Sequence, residues 1–253
     1  MKTLLSVGLW VTLLVMVGCT SGPQLLPESM LASQAAAQFN QMKAEVPVSQ
    51  DGQANARLSA IGDRVIATVA EEMPHTNWEV VLFDSPQVNA FAMPGGKIGF
   101  YRGLVELAET DAQLATVMAH EVAHVLRGHS NQQMTAAMLG SAGQAVAGVL
   151  AQQQDRVDPA LISQAAGISL QLGLLKYSRV HEYEADEIGL LLMAEAGYDP
   201  RQALVFWEKM QAMATGTRPP EWFSTHPKSE NRMERLQARM SEALEIYENS
   251  RNS

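Results

Sequence analysis

The chain has 253 residues, of which 47% are hydrophobic, 18% charged and 6% aromatic, and a formal net charge of −9; this is enough for one well-buried core, with neither an internal repeat nor a second module. The acidic balance, without a basic run or a basic stripe interleaved with aromatics, excludes a nucleic-acid face, so no nucleic acid is expected as a partner. Richness in Ala and Met leans the composition towards helix.

The first segment, "MKTLLSVGLWVTLLVMVGCTSG", carries Lys2, an apolar run from Leu4 to Val17 and small residues ending in the single cysteine, Cys19. The run is short for a bilayer span and reads as a signal peptide over residues 1–18. "MVGC" resembles a bacterial lipobox, which implies cleavage before Cys19 and lipidation of its thiol. Thr20 stands where an aspartate would imply inner-membrane retention. The expectation is an outer-membrane lipoprotein facing the periplasm, in contact with the membrane through its lipid anchor. Residues 19–29 are expected to form a tether and residues 30–253 one domain. With Cys19 acylated, no thiol remains for a disulfide.

Beyond the tether, apolar residues spaced three and four apart predict helices over Met30 to Ala44 and Ala54 to Met73. "WEVVLFDS", "VNAFAM" and "KIGFY", the last two separated by "PGG", predict a small antiparallel sheet. Helical patterns then dominate: one helix with Asp111 as N-cap, a Gly/Ala-rich stretch from Met134 to Ala151, and further helices over Glu182 to Ala196, Arg201 to Met213 and Ser229 to Tyr247. The class is α+β, mainly helical.

The helix after Asp111 contains "HEVAH". His120 and His124 lie one turn apart on one face, where two imidazoles can reach a single tetrahedral zinc ion. Glu121 sits between them as a base for water. This is the pattern of a zincin-type metallopeptidase domain. The metzincin extension would need glycine at 127 and histidine at 130, where the chain has Arg127 and Ser130, so that subclass is excluded. His129, projected along a continuing helix, points away from His120 and His124 and is expected to support the helix C-terminus.

A third ligand follows from packing. With Glu182 at 0° on a helix, Asp186 falls at about 40°, Gly189 at about 340° and Met193 at about 20°. Both acids therefore lie on an apolar stripe, which is costly unless a cation compensates. Glu182 is the expected third ligand, and Asp186 the residue that orients a ligating histidine. Glu184, Glu187 and Glu195 project to the opposite, solvated side.

These residues resemble a family. "NAFAMPGGKIGFYRGL" (Asn89 to Leu104), "HEVAH", "SRVHEYEAD" (Ser178 to Asp186) and "STHPKSENRMERL" (Ser224 to Leu236) together are similar to gluzincin peptidases of the CAAX prenyl endopeptidase and HtpX type, peptidase family M48, and to its periplasmic lipoprotein branch. The resemblance implies one Zn2+ per chain held by His120, His124 and Glu182, with Glu121 as general base and acid. His226, in "HP", is implied as the residue that stabilises the oxyanion, with Arg179 and Tyr183 as weaker candidates. The expected activity is hydrolysis of misfolded or misassembled envelope proteins in protein quality control. Substrate is expected to add as a strand along an exposed sheet edge at Asn89, Ala90, Phe91 and Ala92. One alternative is a zinc-stabilised chaperone or assembly factor whose latent site His226 closes as a fourth ligand. The other is a structural lipoprotein that binds a partner through Met233, Leu236, Met240 and Leu244.

Overall fold

The computed structural model describes residues 22–151, 175–215, 219–228 and 231–252; the segment read as a signal peptide, and Cys19, lie outside the described residues. Two N-terminal helices, α1 (Glu28–Glu45) and α2 (Gly52–Ala67), precede three strands, β1 (Glu79–Phe83), β2 (Ala90–Met93) and β3 (Lys97–Tyr101). The strand order is β1-β3-β2. β2 and β3 form an antiparallel hairpin, with Ala90 opposite Phe100, whereas β1 runs parallel to β3, with Glu79 opposite Lys97. The sheet is thus mixed rather than wholly antiparallel. After β1 the chain crosses the end of β3 before entering β2, and the crossing is held where Gly103 N–H donates to the Ser85 carbonyl (3.1 Å) and Tyr101 N–H to that of Asn89 (3.1 Å).

Alternation along the strands divides the side chains between two cores. Phe83, Phe91, Met93 and Tyr101 pack under Leu31, Ala35 and Phe39 of α1, where the Phe39 ring meets Phe83 edge-on at 6.0 Å. Burying Leu31 and Phe39 contributes on the order of 1.5–3 kcal/mol each. Leu82, Ala90, Ala92, Ile98 and Phe100 face the larger core. The small alanines of β2 lie where the next long helix packs closest.

That helix, α4 (Asp111–Leu126), follows the short α3 (Arg102–Leu107). Its N-cap is Thr110 rather than Asp111: the Thr110 hydroxyl accepts from Gln113 N–H at 3.2 Å. Asp111, one residue later, receives Arg57 Nε at 2.7 Å, in the first turn where a carboxylate suits the helix dipole. α4 ends at Arg127, and Gly128, at φ 63°, turns the chain into α5 (His129–Ala151). Such a left-handed residue after a helix strains any side chain other than glycine's.

α6 (Arg179–Glu195) starts from a capping box: the Ser178 hydroxyl accepts from His181 N–H, and the His181 ring accepts from Ser178 N–H. It packs along α4 so closely that a Cβ on Gly189 would stand 3.0 Å from the His120 backbone nitrogen. α7 (Arg201–Ala214), the single-turn α8 (Trp222–Thr225) and α9 (Arg232–Asn252) complete the described chain. Leu236 and Met240 are buried in the main core, with Met233 and Leu244 packed against it; the apolar stripe of α9 is therefore core and not a docking face. Among the described residues no helix is long and apolar enough to cross a membrane.

Candidate metal centre

Three elements deliver donor atoms to one point. α4 presents His120 and His124, whose Nε2 atoms lie 3.0 Å apart. α6 brings Glu182, with Oε1 3.5 Å from His124 Nε2 and Oε2 3.8 Å from His120 Nε2. The residue after α8, His226, adds Nδ1 at 2.9 Å from Glu182 Oε1 and 3.4 Å from His120 Nε2. One ligand atom from each of these four residues lies within 4.8 Å of the others, and all four are buried. Glu121 is fully buried beside them, its Oε1 3.5 Å from His226 Nε2, and neither of its oxygens has a well-formed hydrogen bond.

Charge makes the same point. Glu121, Glu182 and Asp186 are three buried carboxylates, and the buried cation among them is Arg232, donating from Nη2 to Glu182 (2.7 Å) and from Nε to Asp186 (2.6 Å). With neutral imidazoles this leaves two negative charges in excess, the complement of a divalent cation, and uncompensated charge in so dry a volume is costly. The donor set of two imidazoles and a carboxylate suits zinc. Burial raises the Glu121 carboxyl above its usual range, only partly offset by His226, His120 and the nearby Ala92 amide. For Glu182, burial acts upwards, but His226 and His124 outweigh it and hold the group well below its usual value. Burial acts downwards on His120, yet Asp186 and Glu182 prevail and raise it.

Residues 52–240 match the family model described as Peptidase family M48. The chain belongs to that family. It is 39% identical over 173 residues to the mitochondrial metalloendopeptidase OMA1 of Arabidopsis thaliana, covering 68% of this chain and 34% of that protein. With human metalloendopeptidase OMA1 the identity is 35% over 178 residues, again 68% and 34% of the two chains. With the beta-barrel assembly-enhancing protease of Escherichia coli it is 29% over 201 residues, 76% of this chain and 40% of that one. The chain thus spans about a third to two fifths of the length of these relatives.

In this M48 metallopeptidase domain Asp186 Oδ1 approaches His120 Nδ1 at 3.0 Å, off the preferred hydrogen-bond direction. Arg232 had no role assigned from sequence; it lies flat on Trp207, its guanidinium carbon 4.1 Å from the ring centroid. Nothing local marks it, because its partners are 46 and 50 residues away, although two buried acids on one stripe do call for a cation. His129 does not point away as projected. The turn at Gly128 swings it back, so that its Nδ1 stands 2.9 Å from His124 Nδ1, and the glycine after Arg127 was the available signal for that helix end.

Glu184 was expected in solvent, yet its side chain is only 13% exposed. It accepts from Arg127 Nε at 2.6 Å and faces His129 Nε2 at 3.3 Å. Glu187 is half-buried against Arg235, while Glu195 is exposed. Of the weaker oxyanion candidates, Arg179 is exposed at the start of α6 and Tyr183 lies under the Arg235 guanidinium, at 4.6 Å.

The place beside the donors belongs instead to Tyr177, stacked on His124 at 3.9 Å, its hydroxyl 3.2 Å from Ser130 Oγ and donating to the Ala92 carbonyl at 3.5 Å. Burial pushes that phenol far up, so it remains protonated. β2 is an edge strand as expected, but Asn89, Ala90, Phe91 and Ala92 are all buried, with Tyr177 against its outer side. Trp222 stacks on His226 at 3.9 Å and its backbone N–H donates to the Val88 carbonyl at 3.3 Å.

Proposed function

We propose that the chain is a zinc-dependent endopeptidase, anchored through Cys19 in the outer membrane, that hydrolyses peptide bonds of misfolded or misassembled periplasmic and outer-membrane proteins. The observation that carries the hydrolytic reading is a buried carboxylate, Glu121, without a well-formed hydrogen bond, beside four converging donors. The envelope setting rests on the lipobox-like segment and on the beta-barrel assembly-enhancing protease of Escherichia coli as a relative.

His120, His124 and Glu182 would hold the zinc, which when bound supplies Lewis acidity towards a peptide carbonyl and towards water. Glu121 takes the proton that the attacking water loses and later returns it to the departing amine, so it ends the cycle as it began. The outer edge of β2 at Asn89 to Ala92 pairs with the extended substrate backbone once the Tyr177 side has moved off it. Casein or peptide hydrolysis by wild type and Glu121→Gln tests this. The variant should retain zinc and lose about a hundredfold to ten-thousandfold in kcat; equal rates would refute the assignment.

A second reading has its own support: His226 Nδ1 stands among the donors, in hydrogen-bond range of Glu182. As a fourth ligand it would close the site, leaving a latent chaperone-like form. His226→Ala discriminates. If His226 stabilises the oxyanion, hydrolysis falls; if it closes the site, hydrolysis rises.

A further inference from the structure

We propose that His129 and Glu184 are positioning residues of the metal centre: together they fix the tautomer and ring plane of His124 through its outer nitrogen. This rests on the metal reading of His120, His124 and Glu182.

Donors and acceptors fix the direction of every contact behind His124. His124 directs Nε2 at the donor cluster, 3.0 Å from His120 Nε2. A neutral imidazole that offers the Nε2 lone pair to a metal must carry its proton on Nδ1. That proton faces His129 Nδ1 at 2.9 Å, so His129 has to present a lone pair there and carry its own proton on Nε2. His129 Nε2 in turn faces Glu184 Oε2 at 3.3 Å, and a carboxylate only accepts. The other oxygen of Glu184 is held by Arg127 Nε at 2.6 Å. Each link permits one direction of donation, so Arg127 and Glu184 specify the His129 tautomer and His129 specifies that of His124.

Packing keeps the chain of contacts in place. His129 is fully buried, and the His181 ring stacks on it at 4.5 Å and 16°. The two histidines of the motif therefore have different supports: His120 has an anion, Asp186, and His124 has a neutral ring. A ring nitrogen has one lone pair and accepts in only one tautomer, which is why a fixed carboxylate behind it matters. Had the outer nitrogen of His124 no acceptor, its Nδ1–H would be buried unpaired, and the tautomer that withdraws the Nε2 lone pair would gain population.

The experiment measures zinc Kd by chelator competition, and the Co2+ absorption spectrum, on the purified chain. His129→Leu removes the acceptor at similar volume and should raise the Kd by roughly tenfold to a hundredfold. His129→Asn, whose amide oxygen can stand where Nδ1 stood, should recover most of that loss. Glu184→Gln, which keeps the side chain's size and an acceptor oxygen, should shift the Kd in the same direction by a smaller factor. A folded His129→Leu with wild-type Kd and spectrum overturns the proposal. So does His129→Asn losing as much affinity as His129→Leu, since the effect would then be one of packing. If His129→Leu does not fold, Glu184→Gln decides, and an unchanged Kd there overturns it. A wild-type chain without zinc defeats the metal reading itself, a result distinct from wild-type zinc that is indifferent to His129.

Discussion

Arg232 illustrates how much one side chain carries at this site. It is 2% exposed, donates to both Glu182 and Asp186, and covers Trp207. Removing one partner of a buried ion network leaves charge without compensation, which costs about 3–5 kcal/mol. Arg232→Met should therefore lower stability by that amount in urea unfolding, and adding Asp186→Asn should restore part of it; a loss under 1 kcal/mol would show that the acids are not ionised in the folded chain. His120, Glu121 and His124 were legible in the sequence because the motif is local, and Glu182 and Asp186 because two acids broke an apolar stripe of helical period. Arg232 and Tyr177 were not, since each meets its partners across long stretches of chain. His129 was misjudged because a helical projection assumes that the helix continues, and α4 stops before Gly128; Glu184 lies on an unbroken α6 but is covered by Arg127 and His129, which that turn brings against it.

At the level of elements, the site depends on how closely α4 and α6 approach. Gly189 sets that distance: a Cβ there would press on the His120 backbone at 3.0 Å. Gly189→Ala should separate the helices by a few tenths of an ångström, costing about 1–3 kcal/mol in stability, as overpacked interiors do. It should also weaken zinc binding, because Glu182 moves away from the two histidines. Thermal unfolding with and without zinc checks both; a variant as stable as wild type that binds zinc as tightly would show that the contact yields elsewhere. Helices were placed well from periodicity, although α2 ends at Ala67, before the predicted Met73. The pairing of strands was less legible. Sequence alternation shows which residues share a face, but says nothing of which strand lies between which, and here β3 comes between β1 and β2.

Across the whole molecule, α4 and α6 would share one ion, with the His226 turn packed against the same donors, so metal removal should loosen this region as a whole. A ligand present at a thousand times its Kd stabilises by about 4 kcal/mol. For a chain of this size each kcal/mol moves Tm by roughly 2–4 °C. Chelation should thus lower Tm by about 8–16 °C, and the same treatment of Glu182→Gln should have much less effect. An identical chelation shift in that variant would place the ion elsewhere. The distances along the chain between the buried acids and their guanidinium have a further consequence, one of timing. Arg232 lies 46 residues beyond Asp186 and 50 beyond Glu182. A chain that emerges N-terminus first presents both acids before their counter-charge exists. Until Arg232 arrives, drying this face of α6 against α4 leaves both carboxylates without their guanidinium, so the interior around His120 is expected to close only once α9 has come into place.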